Sequence, residues 1–214
     1  MQKFILPTAL FLSLAMPFSA AGAAGAPAPA ATAPMKATAL KTALEDLWVG
    51  HIDAVRKVVV AEIGDDTAGT KNAEAGVVAN AQAIADAVAG FYGKPAGEKL
   101  LTLLKAHYGA IKAYLDATVA KDPAGQQSAT DKLTSNADEI AAFLSGANPY
   151  LPKATLTEML LMHASQHIAQ IQQLAAKDKA AEAKTRVAMK KHIIAIADAL
   201  AAAIAKQFPK KVSG

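Results

Sequence analysis

The chain has 214 residues, a formal net charge of +4 and no cysteine. The missing cysteine excludes a disulfide scaffold, Cys-ligated zinc, an iron–sulfur cluster, covalent c-type haem and thiol catalysis. The modest charge gives no ground for expecting a nucleic-acid partner. Alanine supplies 53 of the residues and aromatics only 5%, a balance that favours helices because alanine loses no side-chain entropy on entering one.

Lys3 precedes an apolar run from Phe4 to Met16, followed by Pro17 and the small residues Ser19 to Ala24. This is the pattern of a secretory signal over residues 1–23, with cleavage after Ala21 or Ala23. The run is shorter than the roughly 20 residues a membrane span needs. The mature protein is therefore expected to be periplasmic or secreted, with no stable membrane span. Residues 24–36 contain the Pro/Ala stretch Gly25 to Pro34, which reads as an extended linker. No phosphate-cradling glycine motif is present.

From residue 37 the apolar positions recur at helical period, and the spacing predicts an all-α antiparallel bundle of about six helices over 37–209, followed by a short tail, 210–214. A first helix over 38–63 should stop at Gly64, with glycine taking the left-handed cap. A second, 70–91, ends before Gly93. Pro95 suits the first turn of a third, reaching Lys121. Asp122-Pro123 opens a fourth, ending near Gly146. Thr155 to Glu158 has the form of a capping box for a fifth, running to Ala176. A sixth spans 178–208, before Pro209. Four long helices, the first, third, fifth and sixth, are expected to form the main core. Burial of Leu40, Leu44, Leu47, Leu100, Leu104, Leu156 and Leu160 contributes roughly 1.5–3 kcal/mol each. No sequence repeat that would indicate a solenoid is detected, and no strand pattern of useful length appears.

The five histidines carry the chemical interest. Stepping inward by fours and threes, the first helix gives Leu40, Leu44, Leu47, His51 and Val58; the third gives Leu100, Leu104, His107, Ile111 and Tyr114; the fifth gives Leu156, Leu160, His163 and His167. His192 lies on the sixth, beside the row Met189, Ile193, Ile196 and Leu200. All five sit near the middle of their helices, so in a bundle they share a layer. Imidazole nitrogen is a common ligand for zinc, copper and iron, and His163 with His167, four apart, can reach one ion. The competing reading is that each ring is a core residue satisfied by one hydrogen bond.

Carboxylates are scarce near this layer. Glu62 is three turns from His51, and there is no Glu-x-x-His motif, which argues against a carboxylate di-iron site. The order of histidines is similar to that of hemerythrin, yet Ile111 stands where its glutamate would and Asp198 is one residue too far from His192. A histidine-dominated site therefore favours zinc or copper over an oxo-bridged iron pair. Met159 and Met162 could offer soft ligands to copper, but methionines at helical spacing are usually core filler. Asn80 and Asn136 occupy seams, where a buried amide sets register; a role toward a histidine ring is the alternative. Trp48, one turn before His51, reads as core packing. Nine Lys/Arg lie between Lys177 and Lys211, most simply a solvated face.

Leu47-Trp48 with His51, the Leu-Leu-x-x-His around His107, Asn136 to Ala141 with Phe143-Leu144, Ala147-Asn148-Pro149, Met159-Leu160 before His163, and Ala197-Asp198 leading to Gln207-Phe208-Pro209 stand in that order. Together they resemble a family of uncharacterised bacterial all-helical proteins, sometimes labelled glycosyltransferases without motifs to support it. The resemblance covers roughly residues 40–209 and implies no activity. Its histidines match His51, His107, His163 and His192; His167 is outside the pattern, and Ala54 replaces a usual tryptophan. The combined expectation is an exported bundle binding copper, zinc or iron through His51, His107, His163 and His192, with His167 as an auxiliary ligand and haem ranked behind a bare ion. The alternative is a non-catalytic envelope protein with structural histidines. No Ser–His–Asp set or carboxylate pair marks an enzyme.

Overall fold

A computed structural model describes residues 34–214. The expected signal segment, 1–23, and the expected linker up to residue 33 lie outside the described residues. Six helices follow one another: α1 (Ala37–Ile63), α2 (Thr67–Tyr92), α3 (Lys94–Val119), α4 (Pro123–Ala147), α5 (Lys153–Ala175) and α6 (Lys179–Gln207). Met35–Lys36 (β1) and Val212–Ser213 (β2), at the edges of the expected linker and tail, pair in parallel and tie the two ends together. None of the described helices is long and apolar enough to cross a membrane.

Three of the connections are built alike. Asp65, Lys121 and Lys177 adopt φ of 58°, 54° and 59°. The left-handed residue is thus the one after Gly64, which itself has φ −81°, not the glycine expected from the sequence. Two backbone bonds close each turn, as where Asp66 N–H donates to Ala61 O at 2.9 Å and Asp65 N–H to Glu62 O at 3.0 Å. Satisfying these orphan carbonyls offsets the left-handed cost of roughly 1–2 kcal/mol for a residue with a Cβ. The next residue then caps the following helix: Asp66, Asp122 and Asp178 accept from Gly69, Ala124 and Ala181 N–H. The expected capping box at Thr155 does not form. Helix α5 starts earlier, at Lys153, because the Pro152 carbonyl already accepts from Leu156 N–H.

The recurrence is regular. Helices α1, α3 and α5 end at Ile63, Val119 and Ala175, and α2, α4 and α6 begin at Thr67, Pro123 and Lys179, each set spaced by 56 residues. The described residues therefore form three helical hairpins in one register, a repeat that closes on itself and does not stack as a solenoid. Leu44, Leu100 and Leu156 correspond, as do Ile84, Ile140 and Ile196, and all six are buried. The hairpins close into a ring: each even helix lies between two odd ones, with α6 against α1, while α1, α3 and α5 meet at the centre. The six helices, 23–29 residues long, pack as the expected all-α antiparallel bundle, with α1, α3, α5 and α6 carrying most of the buried residues. Sixth-helix residues Met189, Ile193 and Ile196 are buried.

Candidate metal centre

Because α1, α3 and α5 share one register, equivalent residues face one another across the central axis. His51, His107 and His163 are such a set, 56 residues apart. Their ring centroids form a nearly equilateral triangle with sides of 6.2, 5.6 and 5.8 Å. His167 follows one turn along α5 and covers the triangle, 4.5 Å from the His163 ring and 5.7 Å from that of His51. Each of the four offers a ring nitrogen within 4.8 Å of the others. They are 5%, 4%, 2% and 1% exposed, in chain order.

The layer separates two apolar clusters. On one side lie Leu44, Leu100, Leu156 and their neighbours; on the other, Val55, Ile111, Leu115 and Ile171. Trp48 packs in the first cluster and meets the His51 ring edge-on at 6.2 Å. Burial among these groups disfavours charged imidazole. It pushes His51 down to about 3, with His107 adding to the effect, and His107 down to about 4, against a hydrogen bond to Asn136 that acts the other way. His163 and His167 are held well below the ordinary histidine range, first by burial and then by neighbouring rings. All four rings are neutral at pH 7, the state in which a ring nitrogen has a lone pair to give.

The hydrogen bonds leave nitrogens to spare. His107 Nδ1 donates to Asn136 Oδ1 at 3.1 Å, and Asn136 Nδ2 donates to Leu103 O at 3.1 Å. The proton is thereby held on Nδ1, and His107 Nε2 is buried with no partner. His163 and His167 bring their Nε2 atoms to 3.1 Å, while both Nδ1 atoms are buried and unpaired. A buried polar atom without a partner costs about 1–3 kcal/mol. Several in one layer suit an ion better than a purely structural core.

His192 does not join the four. Its Nε2 donates to the Met159 carbonyl at 2.8 Å, at the margin of the layer. The expectation that it is a ligand rested on the phase of an alanine-rich helix, whose Met189 and Ile193 row takes the core instead. Conversely His167, outside the pattern of the resembled family, is the most buried of the set. It stands in the hairpin register where Val55 and Ile111 stand, a signal that becomes readable only once the three hairpins are aligned. Met162 is 53% exposed and Met159 packs on the core. Glu62 pairs with Lys112 at 3.0 Å, and Asp53 with Arg186 at 3.3 Å.

Fold and site together define a closed bundle of three repeated helical hairpins with four buried histidines at its axis that could hold a metal ion. Comparison with protein-family models, with curated proteins and with solved structures finds no match.

Proposed function

We propose that this protein is an exported metal-binding bundle that holds one transition-metal ion through His51, His107, His163 and His167. The observation that carries the reading is the gathering of four neutral imidazoles from three helices in one buried layer, three of them, His107, His163 and His167, with an unpaired nitrogen. The 3.1 Å between His163 and His167 Nε2 is close to the edge of about 3.3 Å expected for a tetrahedron with bonds of 2.0–2.1 Å. A donor set of imidazoles alone suits zinc or copper, and lacks the carboxylates that favour an oxo-bridged iron pair. The rings already pack against one another, 4.5 Å apart at the closest, which does not suit a porphyrin between them.

Four protein ligands complete a zinc shell and leave no position for substrate, the pattern of a structural or storage site. Such an ion supplies cross-linking of three helices and no reaction. Export follows from the charged, apolar and small-residue pattern of residues 1–23, and the resemblance to the all-helical bacterial family remains part of this reading.

Chain purified without a histidine tag is expected to take up one equivalent of zinc or copper. Single replacement of His51, His107, His163 or His167 should weaken uptake, and replacement of surface residue Lys184 should not. Uptake well below one equivalent, or unaltered by those replacements, contradicts the proposal.

A further inference from the structure

The hairpin register links a second set of residues around the first. Asn80, Asn136 and His192 are equivalent, 56 residues apart on α2, α4 and α6. Each makes the same bond to an inner helix: Asn80 Nδ2 to Leu47 O at 3.0 Å, Asn136 Nδ2 to Leu103 O at 3.1 Å, and His192 Nε2 to Met159 O at 2.8 Å. These carbonyls lie four residues before His51, His107 and His163. A carbonyl can only accept, so His192 carries its proton on Nε2. In the neutral ring Nδ1 is then an acceptor, separated from Nε2 by one carbon as Oδ1 is from Nδ2 in asparagine.

In the second hairpin the acceptor is in use, since Asn136 Oδ1 takes the Nδ1 proton of His107. In the first, Asn80 Oδ1 is buried and unpaired; in the third, His163 Nδ1 is buried and unpaired. Resting on the metal-binding reading above, we propose that Asn80 and His192 act as Asn136 does. In the metal-loaded protein they accept the Nδ1 protons of His51 and His163 and turn each Nε2 toward the ion. His192 is thus a positioning residue that takes the place of an asparagine, and not a ligand.

This assignment makes an asymmetric expectation for one position. His192→Asn restores the residue of the other two hairpins and should keep zinc affinity within about threefold. His192→Leu removes the acceptor and should weaken zinc binding about 10–100-fold, the usual cost of losing such a partner. Affinity is read on the full chain by competition with a chromogenic chelator, and cobalt absorption bands report any change at the ion itself. Equal affinity of His192→Leu and wild type overturns the positioning role alone, as does a His192→Asn protein as weak as His192→Leu. A wild-type protein that takes up neither zinc nor copper overturns the metal reading and this inference with it. Should His192→Leu fail to fold, nitrogen–proton correlation spectra of zinc-loaded wild type decide: a His163 proton on Nδ1, with a shift that responds to His192→Asn, supports the role, whereas a proton on Nε2 or an unresponsive shift overturns it.

Discussion

Metal-free protein should lose a large part of its stability between pH 7.5 and pH 5. The rings of His51 and His107 gain protons only near 3 and 4, and His163 and His167 also lie far below the ordinary range. In the unfolded chain the same rings titrate near 6.5. Below that value the unfolded state binds more protons than the folded one, so stability falls as pH falls. At pH 5 the difference is about 2 kcal/mol each for His51 and His107, about 4 kcal/mol together. His163 and His167 add to it in the same direction, and the sum is a large part of the roughly 5–15 kcal/mol that holds a typical domain. Glu182, held below the usual carboxylate range chiefly by Arg56, keeps its ion pair through this window, which leaves the loss to the histidine layer. Urea unfolding followed by circular dichroism at half-unit pH steps measures it. A midpoint flat from pH 7.5 to 5 would show that the rings charge freely in the folded protein.

Adding metal at pH 7.5 should have the opposite effect. An ion that binds only the folded state stabilises it by about 4 kcal/mol when free metal is about 1,000 times Kd, a rise in Tm of roughly 8–16 °C for a chain of this size. Chelator should reverse the rise. His167→Ile separates binding from stability: isoleucine suits a position whose counterparts are Val55 and Ile111, yet one ligand of four is gone. Losing about a quarter of a typical 10–16 kcal/mol metal-binding free energy weakens binding by about 100-fold or more. The metal-free variant should melt close to wild type, because removal of the buried, unpaired His167 Nδ1 offsets the loss of the His167 Nε2 contact to His163. If the histidines were purely structural, His167→Ile would destabilise the protein and metal would shift Tm in neither.

Much of this was legible along the chain, for local reasons. The start of α4 is written in Asp122-Pro123, which acts on backbone groups within three positions. The same capping by Asp66 and Asp178 starts α2 at Thr67 and α6 at Lys179, against the expected 70 and 178. The inward phase of His51, His107 and His163 was equally readable, because leucines one and two turns away mark the same seam. The threefold register was not, since in an alanine-rich chain most equivalent positions differ and only scattered residues, such as the Leu44, His51, Asp66 and Ile84 sets, are identical in all three hairpins. Without it, His192 looked like a ligand and His167 an accessory. Both assignments depend on which helix stands opposite, and helical period alone does not contain that. Asn136 was recognised as a seam amide, but its bond to His107 follows from how α3 packs on α4.

X-ray absorption at the zinc edge of the loaded full chain interrogates the shell itself. Four nitrogen neighbours at about 2.0–2.1 Å, with the outer-shell scattering of four imidazoles, are expected. A shell of oxygen ligands, or one whose imidazole count is unchanged in His167→Ile, contradicts the assignment of these four rings to one ion.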